Sequence, residues 1–171
     1  MESPNNTSGK GPQNVQRIDH VAYVFYKENI PSVIETLSNA FGITDWDGPA
    51  EMEAFGILQA QSVSAGIEVL APLDPSDGSQ FSQHLREKGE GFFALIFGVA
   101  DLRRSAEAAT KKGIQFKRGP DGEWLLIDSM KNKHGGPAHA SWANKLHRYD
   151  EYWLEPLFGQ NFFLSQIELK E

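Results

Sequence analysis

The sequence predicts an α+β fold built from two similar βαβββ modules. Three observations lead there. Short β-branched and aromatic runs, the mark of strands, alternate with stretches whose apolar residues recur at helical spacing. The order of these segments repeats along the chain. The glycines that end the main helix of each half, Gly42 and Gly113, are each followed by Ile and lie about 71 residues apart. Two copies at that interval suit halves related by a pseudo-twofold, whereas a solenoid needs shorter and more numerous repeats.

The elements follow in order. Residues 1–16 are rich in Asn, Ser, Gly, Pro and Gln, too polar to offset the entropy of ordering, and read as a disordered tail. Ile18 to Phe25 reads as the first strand. Asn29 is a candidate N-cap with Pro31 near the first helical position, and Ile30, Val33, Ile34, Leu37 and Phe41 make one apolar helix face closed by Gly42. Phe55 to Ala65 and Ile67 to Pro72 read as strands, and Phe81 to Lys88 as a short connecting helix. The second half starts with a strand from Gly91 to Val99 and a helix capped by Asp101. Gly122 to Ile127 and Phe162 to Leu169 read as further strands. Residues 129–161 read as an insertion absent from the first half. In it Trp142, Leu146, Tyr149 and Trp153 recur at helical spacing, which predicts a helix from Ser141 to Leu157. The domain therefore spans residues 17–171, with modules at about 17–73 and 91–171.

Composition limits function. The chain has 171 residues, with 16 Lys+Arg against 23 Asp+Glu and a formal net charge of −7. That balance argues against a nucleic-acid partner, which needs a basic face. No cysteine is present, so thiolate metal sites and cysteine nucleophiles are excluded. No apolar run is long enough to span a membrane and no signal segment opens the chain, so a cytoplasmic location is expected. Any metal must be held by His, Asp, Glu or Gln, and there are five His.

Three polar residues interrupt apolar strands: His20 among Ile18, Val21 and Ala22, Glu68 between Ile67 and Val69, and Glu168 between Ile167 and Leu169. Buried carboxylates need partners. If the pseudo-symmetric sheets bring these groups together, one imidazole and two carboxylates suit Mg, Mn, Fe, Co, Ni or Zn.

Three stretches carry a family resemblance. Ile18-Asp19-His20-Val21-Ala22, Ile67-Glu68-Val69-Leu70-Ala71-Pro72 with the following Lys88-Gly89-Glu90-Gly91, and Gln166-Ile167-Glu168-Leu169 resemble the metal-bearing strands of the vicinal-oxygen-chelate superfamily. They are most similar to its methylmalonyl-CoA epimerase and lactoylglutathione-lyase-like branch. The resemblance implies a cupped, mostly antiparallel sheet, a divalent metal held by His20, Glu68 and Glu168, and a homodimer. It also implies a pocket lined by Ala22, Phe92, Ala94, Ile96 and Gln166, with Trp142 of the aromatic insertion as a lid. One position departs from the pattern: where that branch has a third metal ligand, this chain has Ala94. A triad of His20, Glu68 and Glu168, a set completed by His134, His139 or His147, and a site without metal all stay open.

In such proteins the metal polarises a carbonyl oxygen while a base removes the neighbouring proton. The resemblance implies a base near Glu51 or Glu53, so Glu53 and Glu168 are the catalytic candidates. The expected function is an isomerase, epimerase or lyase acting through an enolate on a small apolar or aromatic carbonyl compound. A metal-free binding protein of the same fold and a non-haem iron dioxygenase are the alternatives.

Overall fold

The structure, a computed structural model, describes residues 15–128 and 146–170. Its elements are β1 (Val15–Val24), α1 (Ile30–Phe41), β2 (Asp47–Met52), β3 (Ile57–Ser62), β4 (Ile67–Pro72), α2 (Gln80–Lys88), β5 (Gly91–Val99), α3 (Leu102–Thr110), β6 (Leu126–Asp128), β7 (Leu146–Trp153) and β8 (Asn161–Leu169). The order is βαβββ, a connecting helix, and βαβββ again. All eight strands join one curled sheet in the order β2-β3-β4-β1-β5-β8-β7-β6. Five of the seven neighbouring pairs are antiparallel; β1–β4 and β5–β8 are parallel.

The two modules meet at β1 and β5. There His20 lies opposite Ile96 and Ala22 opposite Ala94. Each module then adds a parallel strand at the same relative place, with Glu68 beside Ala22 and Phe163 beside Ile96. A twofold between β1 and β5 therefore relates His20 to Ala94, Ala22 to Ile96, and Glu68 to Phe163.

Burial divides along this plan. On one face α1 covers β4 and β3, with Ile30, Ala60, Val69 and Ala71 buried together. At the other end of the sheet Leu102 and Ala106 of α3 bury against Leu154 and Leu164. The concave face holds the largest cluster, in which Ala22, Leu70, Ala94, Ile96 and Phe163 meet Phe81 and Leu85 of α2. Phe93 is its hub. It is 1% exposed and packs its ring on Phe81 and Phe163, 5.0 and 6.2 Å away.

Local chemistry accounts for the helix ends. Gly42 takes φ 70°, the left-handed C′ conformation open to glycine. Asp101 caps α3 by accepting from the Arg104 N–H at 3.0 Å, and Ser79 caps α2 through the Ser82 N–H. Asn29 does something else. It lies in a 3₁₀ turn, makes no cap bond, and donates Nδ2 to Glu90 at 2.8 Å.

The chain departs from expectation most in the second half. Residues 146–153 are strand β7, paired with β6 and β8, and not a helix. Tyr149 and Trp153 lie four apart and so satisfy either period; Tyr149, Glu151 and Trp153 also fit a period of two, and sheet pairing decides between them. The stretch from Gly122 yields only the short β6, with Trp124 in an isolated bridge to Arg118. The sheet thus takes in residues 146–153 and Asn161 of the expected insertion. Residues 129–145, with Trp142, His134 and His139, lie outside the described residues. Among those residues no helix is long and apolar enough to cross a membrane.

Truncating the hub residue tests this packing. Phe93→Ala should destabilise the domain by about 3–5 kcal/mol, the range for a buried aromatic, read as a lowered urea midpoint with unchanged slope.

Candidate functional site

The concave face carries a cavity of about 240 Å³ between the sheet and the start of α2. Its wall is apolar where Leu70, Phe81, Trp153 and Phe163 line it. Trp153 and Phe163 are direct cross-strand neighbours and stack at 4.8 Å. Six polar side chains interrupt this surface: Gln59 of β3, Glu68 of β4, Ser79 and Gln80 at the start of α2, and Tyr149 and Glu151 of β7. Period-two alternation puts Tyr149, Glu151 and Trp153 on one face of β7.

Behind that wall lies His20, only 2% exposed. Its Nε2 is 3.3 Å from the Tyr149 hydroxyl, 3.7 Å from Glu68 Oε2 and 3.8 Å from Glu151 Oε1. One imidazole is thus shared by two carboxyl groups from opposite arms of the cup and by one phenol. Gln59 Nε2 donates to the other oxygen of Glu68. Trp153 Nε1 donates a long bond, 3.4 Å, to Glu151 Oε2. Asp19, on a bulge of β1, is held by Arg17 and by the Ser165 hydroxyl and adds a further negative charge nearby.

Burial and mutual charge set the protonation of the cluster. Burial raises the Glu151 carboxyl, His20 opposes that rise, and Glu68 adds to it; the result is about 7. For His20 burial acts downward, but Glu68, Glu151 and Asp19 together outweigh it and hold the imidazole above its ordinary value. Burial first, then the charges of Glu151 and Glu68, push the Tyr149 phenol well up, so it remains a hydrogen-bond donor.

The expected site residues fall in different places. His20 and Glu68 are brought together. Glu168 is not with them: the register puts Phe163 in the position equivalent to Glu68. Glu168 lies five residues further along β8, on the opposite face, exposed, accepting from Gln166 Nε2 at 2.7 Å. Gln166 itself faces α3 and accepts the Leu102 N–H at 3.0 Å. Glu53 sits exposed in a 3₁₀ turn and is not among the lining residues. Phe92 is turned outward, 40% exposed, its ring edge-on to Tyr23, because a register shift at this point of β5 puts Phe93 into the core instead. Ala22, Ala94 and Ile96 are buried beneath the cup. His147 is exposed on β7, away from His20; Trp142, His134 and His139 lie outside the described residues. Sequence reasoning missed Glu151 and Tyr149. The period-two spacing of Tyr149, Glu151 and Trp153 was the available signal.

A divalent metal does not fit this arrangement well. Of the four positions related by the twofold, two carry buried apolar side chains, Ala94 and Phe163. Among the described residues no group of three or more His, Asp or Glu side chains is placed to hold a metal ion.

The comparisons with known proteins match this geometry at the level of fold. No family model and no curated protein matches the chain. Methylmalonyl-CoA epimerase from Mycobacterium tuberculosis superposes with a TM-score of 0.60 at 20% identity, covering 89% of this chain and 88% of that one. A variant of the Streptomyces coelicolor methylmalonyl-CoA epimerase, in complex with 2-nitronate-propionyl-CoA, gives 0.60 at 19% identity, over 90% and 98% of the two chains. The chain has the vicinal-oxygen-chelate fold. A hypothetical protein from Bacillus halodurans C-125 shares it, with a TM-score of 0.62 at 15% identity over 91% and 96%.

The protonation pattern has a measurable consequence. Glu151 binds its proton more tightly folded than unfolded, so the stability it contributes is complete below pH 4.5 and is lost as pH rises to about 7. His20 is raised from 6.5 and has the same sign, with its loss falling at higher pH. Wild-type stability should fall between pH 4.5 and 7 at up to about 1.4 kcal/mol per pH unit from Glu151. Glu151→Gln should remove that fall, as measured by urea denaturation across the range.

Proposed function

We propose that this protein is an enzyme of the vicinal-oxygen-chelate type that moves a proton next to a carbonyl group, an isomerase or epimerase working through an enolate. Its substrate is a small apolar or aromatic carbonyl compound. The observation that carries this reading is the convergence of Glu68, Glu151 and Tyr149 on one apolar cavity, with His20 behind them within 4 Å of both carboxyl groups.

Each side chain has a role that its surroundings suit. Glu151 is the base: it lines the cavity, and a carboxyl tuned to about 7 both takes and returns a proton near neutral pH. Glu68, oriented by Gln59, is the second carboxylate, reaching the cavity from the other arm. Epimerisation takes a proton from one face of a carbon and returns one to the other face, and isomerisation returns it to a neighbouring atom; Glu151 and Glu68, from opposite arms of the cup, supply a base and an acid for either. The Tyr149 hydroxyl is a donor for the negative charge that develops on the carbonyl oxygen. His20 acts through these groups as a positioning residue.

A non-haem iron dioxygenase site usually wants two His and a carboxylate; among the described residues His20, behind the cavity wall, is the one imidazole within 4 Å of Glu68 and Glu151. A metal-free binding protein is the second reading, favoured by the aromatic wall of Phe81, Trp153 and Phe163.

Solvent deuterium exchange tests the proposal. In D₂O, with a panel of acyl thioesters and aryl ketones followed by proton NMR, wild type should exchange the α-proton of at least one compound. Glu151→Gln should lower that rate by about 10²–10⁴-fold, the usual worth of a general base. Binding without exchange across the panel would favour the binding protein instead.

A further inference from the structure

The start of α2 carries a donor that the proton-transfer cluster does not use. Gln80, the first residue of that helix, lines the cavity. Its Oε1 accepts from Lys117 Nζ at 2.7 Å. Its Nε2 is buried and has no hydrogen-bond partner among the described residues. The amide cannot be turned around. An ammonium group only donates, so the oxygen must face Lys117 and the nitrogen must face away from it. A buried N–H left unpaired is costly, and this one belongs to the wall of a cavity. Ser79 on the same wall is already engaged: its hydroxyl donates to Ser82 Oγ at 3.1 Å and accepts the Ser82 N–H at 3.2 Å.

Lys117 is itself fixed. Its backbone N–H bonds the Trp153 carbonyl at 2.8 Å, its carbonyl accepts the Leu125 N–H, and Nζ stands 5.6 Å over the Trp153 ring. A cation at the oxygen end of an amide polarises it and makes its N–H groups stronger donors. Lys117 is not among the residues that line the cavity, so a ligand meets the uncharged amide.

The two ends of the cavity therefore differ. Tyr149 and Trp153 are four residues apart on β7, about 13 Å along the strand. Tyr149, Glu68 and Glu151 gather around His20 at one end. The start of α2 belongs to the other: Lys117 joins Gln80 to Trp153, and the Phe81 ring stands edge-on to Trp153 at 6.2 Å. A molecule whose reacting carbonyl lies among the carboxyl groups presents its far end to Gln80.

We propose that Gln80 determines specificity by donating Nε2 to a second, uncharged oxygen of the substrate, an ester, amide or ketone oxygen at the end remote from the exchanging proton. The substrate class is then a neutral carbonyl compound with a second acceptor across a flat apolar body. The proton-transfer reading decides which end reacts; the role of Gln80 is read from binding alone.

Isothermal titration into the full-length protein compares three para-substituted acetophenones: methyl 4-acetylbenzoate, 4-isopropylacetophenone and 4-acetylbenzoate. The methyl ester should bind about tenfold more tightly than the isopropyl compound. The carboxylate should bind more weakly than the ester, because Glu68 and Glu151 share the cavity. Gln80→Glu keeps an oxygen for Lys117 and removes the donor. It should bring the ester down to the level of the isopropyl compound and leave the latter's affinity and the thermal midpoint near wild type, whereas a merely structural role would weaken both probes alike. Gln80→Met, which also lacks the donor, should give the same loss and serves if the first variant fails to fold. Equal affinities of ester and isopropyl compound in the wild type, no binding of the ester, tighter binding of the carboxylate, or a preference that survives both substitutions would overturn the proposal. Exchange of the α-proton without a preference for the ester would overturn it and leave the proton-transfer reading standing. A Gln80-dependent preference without exchange would uphold it and count against that reading.

Discussion

One imidazole shared by two buried carboxyl groups is the constraint around which this molecule is arranged. His20 Nε2 lies within 4 Å of Glu68 and Glu151, and all three are nearly excluded from water. Taking that much charge into an interior is costly unless the groups compensate one another. Here compensation comes by raising proton affinity: Glu151 moves to about 7 and His20 moves up as well. The cluster therefore holds its charge near neutrality by holding protons, and protons held at this affinity are available for transfer near pH 7.

The sheet supplies the geometry. Glu68 comes from β4 of the first module and Glu151 from β7 of the second, and only the junction of β1 with β5 brings those arms to face one another. The two modules have diverged at their equivalent positions. The first retains His20 and Glu68; the second has Ala94 and Phe163 in their place. Its polar contribution comes one strand further out, from Glu151 and Tyr149. The exchange makes the second half of the cup apolar and aromatic, with Phe163 stacked on Trp153 and touching Phe93. Packing and chemistry are thus the same set of contacts on this face.

Much of the fold was legible because it rests on local signals. Strand β1, helix α1 and its closing Gly42, the Asp101 cap and the repeated order of elements follow from periodicity and cap chemistry. His20 and Glu68 were legible as polar residues inside apolar strands. Glu168 shows where that reasoning fails. Ile67-Glu68-Val69 and Ile167-Glu168-Leu169 look alike locally, yet strand register decides which residue faces the cup, and an odd separation of five from Phe163 turns Glu168 to the other side. Glu151 was hidden for a related reason. Its segment satisfies a helical period through Leu146, Tyr149 and Trp153 and a strand period through Tyr149, Glu151 and Trp153, and pairing with β6 and β8, a long-range property, selects the strand.

The central claim is that Glu151 is a buried carboxyl group whose proton affinity is set by burial and by His20. The direct measurement is a carbon-13 NMR titration of the Glu151 side-chain carboxyl, assigned with the Glu151→Gln variant. A midpoint near 7, together with a His20 midpoint above its ordinary 6.5, is the expected result. A Glu151 midpoint at the ordinary value of about 4.5 would contradict the account, because the carboxyl would then be a solvated anion and not the proton-holding group of this pocket.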